Sequence, residues 1–267
     1  MRIVPAGNGW KWLRQGWALF MKAPAEWLML MMLFLIVSAG INWIPLVGPF
    51  LASALLPGLS AGLMQACAEA EAGRRVTPAA LFFPLRDKPA ALMRVGFLYL
   101  VCMLLTLAFT YPVDDGALFN QMLLGTPPSP EAIKDGSLPN ALALAGLLAT
   151  PLLMALWFAP MLIMWRDLGV SQSLFYSFFA SLRNWRVFGI YGLIVFGGVM
   201  TASLAIAVAG VSAGVGLGVM RTMMLALILI MMPSVTCSFY FSYLDIFPPP
   251  EDEPVTTVTA ESGSSQV

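Results

Sequence analysis

The chain has 267 residues, 59% hydrophobic and only 10% charged, with a mean hydropathy of +0.82; a soluble domain carries about 25% charged residues, so composition excludes one. Fourteen Lys and Arg balance fourteen Asp and Glu, leaving no basic excess to neutralise a phosphate backbone and speaking against nucleic acid as a partner. The lack of histidine excludes imidazole acid-base catalysis, Ser-His triads and imidazole metal ligands, and Cys67, Cys102 and Cys237 are too dispersed for a CxxC pair or a zinc ligand set.

The first segment reads as an amphipathic helix lying on the membrane. Trp10, Leu13, Trp17, Phe20 and Met21 recur at helical spacing on one face, Lys11, Arg14, Gln15 and Lys22 on the other, with Asn8 placed to cap it. Aromatics toward the bilayer and cations toward the headgroups predict an interfacial helix. A cleaved signal peptide is the competing reading. Residues 1–26 are long for its charged region, and cleavage near Ser38-Ala39-Gly40 strands the next span without its partner.

Six apolar stretches approach the roughly 20 residues that a crossing needs: 27–43, 45–68, 91–111, 138–165, 187–210 and 219–244. Trp27, Trp43, Tyr111, Trp165, Trp185 and Tyr243 fall near their ends, where amphipathic rings prefer the headgroup level. Between the second and third spans, Thr77 is placed as a cap and Pro78 in the first turn of a second short helix, which Pro84 is expected to cut short. The loop over 112–139 carries Asp114, Asp115, Glu131 and Asp135 against Lys134, with Pro127, Pro128 and Pro130 between them, and reads as solvated and partly irregular. A third short helix has Ser171 as its cap and Leu174, Phe175, Phe178, Phe179, Leu182 and Trp185 as its apolar face. Ser173, Ser177 and Ser181 recur opposite, and so small and neutral a polar face suits packing on protein. The fifth span carries Gly198, Ala202, Ala205 and Ala209 at small-xxx-small spacing, which predicts close internal packing, with a homodimer face as the sharper alternative. Residues 248–267 begin with three prolines and an acidic triplet, lack periodicity, and are expected to form a disordered acidic cytoplasmic tail.

The basic residues orient this chain. With six spans and both termini inside, twelve of the fourteen Lys and Arg fall in cytoplasmic segments and only Lys134 and Arg221 outside, the distribution that translocation favours. A single span over 27–68 puts Arg74, Arg75, Arg86, Lys88 and Arg94 outside instead, so two spans turning near residues 42–48 fit better. Residues 76–82 align with residues 170–176 (VTPAALF against VSQSLFY), pointing to three parallel units, each an interfacial helix followed by an out-and-back pair of spans. Chance similarity between apolar strings is the alternative.

Chemistry is sparse. No ionisable side chain falls at mid-span, where each is a default functional flag, and this weakens a proton- or sodium-coupled transporter. Arg94, Arg221 and Asp245 sit near span ends and read as anchors. The even-numbered spans all contain proline, and Pro57, Pro160 and Pro233 are candidate helix breaks. Their freed carbonyls either line a cavity or are satisfied by neighbouring helices. Eighteen methionines invite thioether ligation of copper(I), but adaptable apolar packing explains them without a His or paired Cys. The sequence offers no catalytic residues, no metal ligands and no cofactor site.

Several strings are familiar: residues 10–24 (WKWLRQGWALFMKAP), Ile44-Pro45-Leu46-Val47-Gly48, residues 57–64 (PGLSAGLM), Phe158-Ala159-Pro160, and residues 173–193 (SLFYSFFASLRNWRVFGIYGL). They resemble an uncharacterised family of proteobacterial multi-spanning inner-membrane proteins and, more distantly, the membrane domain attached to some glycerophosphodiester phosphodiesterases. The resemblance covers most of residues 1–245 and implies a bacterial inner-membrane protein. It carries over no functional residue, and nothing in this chain supplies the acid-base residues of the phosphodiesterase catalytic domain.

The expected fold is therefore an all-α membrane bundle over residues 1–247, with six transmembrane helices, three short cytoplasmic interfacial helices and both termini cytoplasmic. The expected function is that of a non-enzymatic scaffold or assembly factor. It presents Trp10, Lys11, Arg14, Trp17, Lys22, Arg183, Trp185 and Arg186 to lipid headgroups, to a protein partner or to a second copy. The alternative is a carrier or flippase for a lipidic or apolar molecule that uses the proline-broken spans. An enzyme comes third, since its carboxylate pair must come from the outer loop or the tail, where nothing fixes their geometry.

Overall fold

A computed structural model describes residues 1–44 and 47–248, and these contain helices, turns and loops but no strand. Pro45 and Leu46 of the expected first turn, and the expected disordered tail from residue 249 onward, lie outside the described residues. The chain runs α1 (Asn8–Phe20), α2 (Pro24–Asn42), α3 (Gly48–Glu71), α4 (Pro78–Asp87), α5 (Pro89–Asp114) and α6 (Ala117–Phe119). A π-helical turn (Asn120–Leu124) leads to α7 (Pro130–Lys134), α8 (Ser137–Leu156), α9 (Ala159–Arg166), α10 (Val170–Arg183), α11 (Trp185–Ser212) and α12 (Leu217–Ile246).

Among the described residues six helical segments are long and apolar enough to cross a membrane: α2, α3, α5, the pair α8–α9, α11 and α12. Pro24, Pro78 and Pro89 stand in the first turns of α2, α4 and α5, where a missing N–H leaves no bond unmade. The crossings are apolar all round, as spans in contact with lipid are. The extreme case is α11, which buries only Val187, Tyr191 and Gly210.

Each short helix turns into a span across a corner of one to three residues, and each packs on a different crossing: α4 along α3, α10 along α8 and α1 along α12. A short helix thus lies on the second crossing of the pair before it, and α1 closes the ring against the last crossing. Two glycines permit these contacts. A Cβ at Gly62 collides with the Leu81 main chain of α4, and one at Gly16 collides with the main chain at Ser234 and Ser238 of α12. The crossings α3 and α5 meet equally closely, Gly96 against Ala54, whereas the fourth crossing meets α11 through the rings of Trp157, Phe158 and Phe188. The main core gathers at the end of the bundle that holds the N-terminus, around Trp12, Trp27, Leu81, Phe158, Leu162 and Ile246.

Several local expectations need correction. Asn8 does not cap α1, because its amide donates to Asp245 Oδ2 at 2.6 Å. Thr77 occupies the cap position of α4 without a side-chain hydrogen bond, and the cap of α10 is Gly169 with Ser171 inside the helix. Pro84 does not end α4, which runs on to Asp87 with Pro84 buried. The buried face of α1 is Gly9, Trp12, Gly16, Leu19 and Phe20, rotated from the one expected because glycines, invisible to a hydrophobicity pattern, set the closest approach. The loop over 112–139 is more regular than its composition implies. Buried Asp114 accepts hydrogen bonds from the N–H groups of Gly116 (3.1 Å) and Leu118 (2.7 Å), and Leu118 packs with Leu107, Leu138 and Ala141 in a small separate core.

Candidate functional site

The fourth crossing is broken, and the break organises the site. Pro160 stands in the first turn of α9, and the backbone leaves the helix at Trp157 and Phe158. In an unbroken helix the Phe158 N–H would donate to the Met154 carbonyl. Here it donates to Ser177 Oγ at 2.9 Å, and the Ser177 hydroxyl donates to that carbonyl at 2.8 Å. Ser181 adds a second hydrogen bond to the Met154 carbonyl at 3.2 Å. The serine face of α10 is buried against α8 because it completes this interrupted ladder, so here the polar groups find partners in a neighbouring helix. The aromatic face of α10 points outward, with Phe175 and Leu182 exposed.

Just beyond the break, Phe158 is fully buried and stacks on Phe239 with centroids 5.3 Å apart, and Trp157 meets the same ring edge-on at 5.1 Å. A partly open cavity of about 460 Å³ lies beside this wall, lined from α3, α5, α8, α9, α11 and α12. Pro57 of α3 and Pro160 of α9 both line it. A second hollow of about 590 Å³ lies between α8 and α11, and the two share Leu153, Trp157, Tyr191 and Val235. Their volumes are in the range of small-molecule sites.

No Asp, Glu, Lys or Arg lines either space. The few polar groups are partly committed: Ser60 donates to the Pro57 carbonyl at 2.9 Å, and Tyr191 Oη lies 2.7 Å from Ser238 Oγ. Such a lining excludes water by its apolar character and offers an occupant dispersion contacts in place of charge. Among the described residues no group of three His, Cys, Asp or Glu comes together as a metal site.

Of the candidate helix breaks read from sequence, only Pro160 stands at an interruption, because α3 runs unbroken through Pro57 and α12 through Pro233; Pro57 and Pro160 nonetheless meet at one cavity. Pro233 does not line it; it is buried in α12, beside the Ser234 turn that Gly16 crosses. Trp10 and Trp17 are 61% and 43% exposed, Lys11 and Arg14 are exposed with them on the outward face of α1, and Lys22 is exposed in the turn that follows. Arg183, Trp185 and Arg186 are exposed at the corner between α10 and α11, with the Arg186 guanidinium 5.6 Å from the Trp185 ring centre. The two sets lie on adjoining elements: Gly9 of α1 abuts Tyr191 of α11, and the Val4 N–H donates to Asn184 Oδ1 at 2.9 Å.

Four relationships escape a reading of the sequence. Asp245 accepts from Arg2, Asn8 and Trp12, so it ties the N-terminal segment to α12. The thiols of Cys67 and Cys237 lie 3.8 Å apart in the core, and Glu71 accepts from Tyr240 at 2.6 Å. Lys88, in the corner between α4 and α5, pairs with Asp167 after α9 and donates to the Ile163 carbonyl at 2.9 Å. The hydrogen bond and the charge of Lys88 hold the Asp167 carboxyl below its ordinary 3.8. Only the serine spacing of α10 carried a signal in sequence; the others join residues too distant for any pattern to show.

A probable inner membrane protein of Burkholderia thailandensis is 32% identical to this chain over 250 residues, covering 91% of this chain and 92% of the relative. No family model and no solved structure matches. The inner-membrane part of the resemblance read from sequence is therefore supported, and the more distant likeness to the phosphodiesterase membrane domain is not.

Proposed function

The chain belongs to the family of that probable inner membrane protein, and from this premise we propose that it holds a lipidic or apolar molecule within the bilayer, as a carrier or flippase without catalysis of its own. The observation that carries this reading is the apolar cavity at Pro57 and Pro160, which shares wall residues with a second apolar hollow between α8 and α11. Apolar surface of this kind is filled most favourably by a molecule already dissolved in the membrane. Both termini face the cytoplasm in this proposal, because that orientation leaves most Lys and Arg on the inner side.

A scaffold is the second reading, favoured by one observation: Trp10 and Trp17 stay exposed beside Lys11 and Arg14 although α1 is otherwise docked. Mass spectrometry of the protein extracted with its native membrane separates the two. A lipid species enriched over the bulk membrane supports the carrier. A stoichiometric protein partner that is lost when Lys11, Arg14 and Lys22 become alanine supports the scaffold and displaces the first reading.

A further inference from the structure

We infer that the hollow between α8 and α11 seats one acyl chain of an anionic phospholipid from the leaflet on the side of the N-terminus, with Arg183 and Arg186 meeting its phosphate. The inference rests on the lipidic occupant proposed above and adds its headgroup class. The position of the hollow selects a membrane lipid. It is a partly open groove along α11, a crossing that buries only Val187, Tyr191 and Gly210 and leaves the rest of its surface to the acyl chains. Its α11 wall runs from Trp185 to Val199, about 21 Å of helix at 1.5 Å per residue, compared with about 15 Å for one leaflet of hydrocarbon. It therefore reaches from one headgroup region to the middle of the bilayer. Gly192 leaves that wall low, since a Cβ there meets nothing within 4 Å.

Charge complementarity selects the headgroup. The mouth of the hollow is marked by Ser181 and Trp185, and Arg186 folds over the Trp185 ring at 5.6 Å. Among the described residues the ion pairs are Arg2 with Asp245 and Lys88 with Asp167, and none of the described carboxylates pairs with Arg183 or Arg186. Two exposed guanidiniums beside a groove without acidic residues suit a phosphate ester with net negative charge.

The test reconstitutes the full chain in vesicles of equal parts phosphatidylglycerol and phosphatidylcholine, extracts it in a neutral detergent, and counts retained lipid per protein by mass spectrometry. Phosphatidylglycerol is expected to be retained over phosphatidylcholine by about 30-fold, the effect of two surface arginines. Replacing both with glutamine (Arg183→Gln with Arg186→Gln) should keep the total retained and lose the preference. Gly192→Trp should lose the lipid, while Leu204→Trp, a control at an exposed α11 position outside the hollow, should behave as the unaltered protein. A preference that survives loss of both arginines overturns the headgroup inference and leaves the lipidic reading standing. Loss of lipid in Leu153→Trp, which fills both spaces, with full retention in Gly192→Trp places the occupant in the other cavity and also overturns the inference. Full retention in a folded Leu153→Trp protein overturns the lipidic reading itself.

Discussion

The carboxylate of Asp245, in the last turn of α12, lies 3.0 Å from the indole nitrogen of Trp12, a residue 233 positions earlier in the chain. Arg2 and Asn8 bind the same carboxylate at 2.7 and 2.6 Å, and the Arg2 N–H donates to the Ile246 carbonyl at 2.9 Å. One side chain therefore fixes α1 against the crossing that closes the ring.

Asp245→Ala strands the buried Trp12 indole and the Asn8 amide and removes the carboxylate that pairs with Arg2. An unmade hydrogen bond to a buried group costs about 1 to 3 kcal/mol, so thermal unfolding in detergent should show a loss of that order. Asp245→Asn, which keeps an acceptor, should lose less. Equal stability of Asp245→Ala and the unaltered protein contradicts the role given to this carboxylate.

Gly16 and Gly197 should respond oppositely to a methyl group. At Gly16 it meets the α12 main chain, and overpacking of that kind costs about 1 to 3 kcal/mol. At Gly197 it meets nothing within 4 Å, so Gly197→Ala should be neutral or raise stability by up to about 1 kcal/mol through helix propensity. Paired melting curves check both. The neighbouring small-residue stripe of α11, for which the sequence predicts internal packing, lies largely open instead: a Cβ at Gly198 meets nothing within 4 Å, and Ala205 and Ala209 are exposed.

Ser177→Ala removes the group that joins the Phe158 N–H to the Met154 carbonyl. Ser181 still serves the carbonyl, so the double variant should cost more than the sum of the single ones, because only then do both ends of the break lack partners. A thermodynamic cycle over the three variants measures this coupling, and strict additivity removes the serine bridge from the account.

Asp167 gives a pH signature. Its carboxyl is held below its ordinary 3.8 by Lys88, so the pair adds stability that is fully present above the unfolded value and is lost as pH falls through the lower folded one. Asp167 is exposed, so the effect is small and screened by salt. At low ionic strength Asp167→Asn should melt below the unaltered protein at neutral pH, and the gap should close as the pH drops below 3.8. A gap independent of pH and salt contradicts the pairing.

The six crossings were legible because twenty-residue apolar runs bounded by aromatic and basic residues have few other uses. The break at Pro160 was also legible, since proline removes a backbone donor wherever it falls in a helix, whereas α3 runs unbroken through Pro57. That these two prolines face one cavity was not, because it depends on how α3 and α9 approach each other across the bundle. The rotation of α1 was hidden for a related reason: Trp10, Trp17 and Trp12 are equally apolar, and only the contact of Gly16 with α12 decides which ring turns inward. Asp245 read as an end-of-span anchor, with its three donors out of reach of any local pattern.

The central claim, that the joined cavities take a lipidic molecule, is tested most directly by photo-crosslinking in vesicles of phosphatidylcholine that carries a diazirine on its acyl chain, with adducts located by mass spectrometry. The account predicts adducts concentrated on Leu153, Trp157, Tyr191 and Val235, the residues common to both spaces. Adducts no denser there than on Leu204 and Leu225, exposed residues outside both spaces, would contradict it.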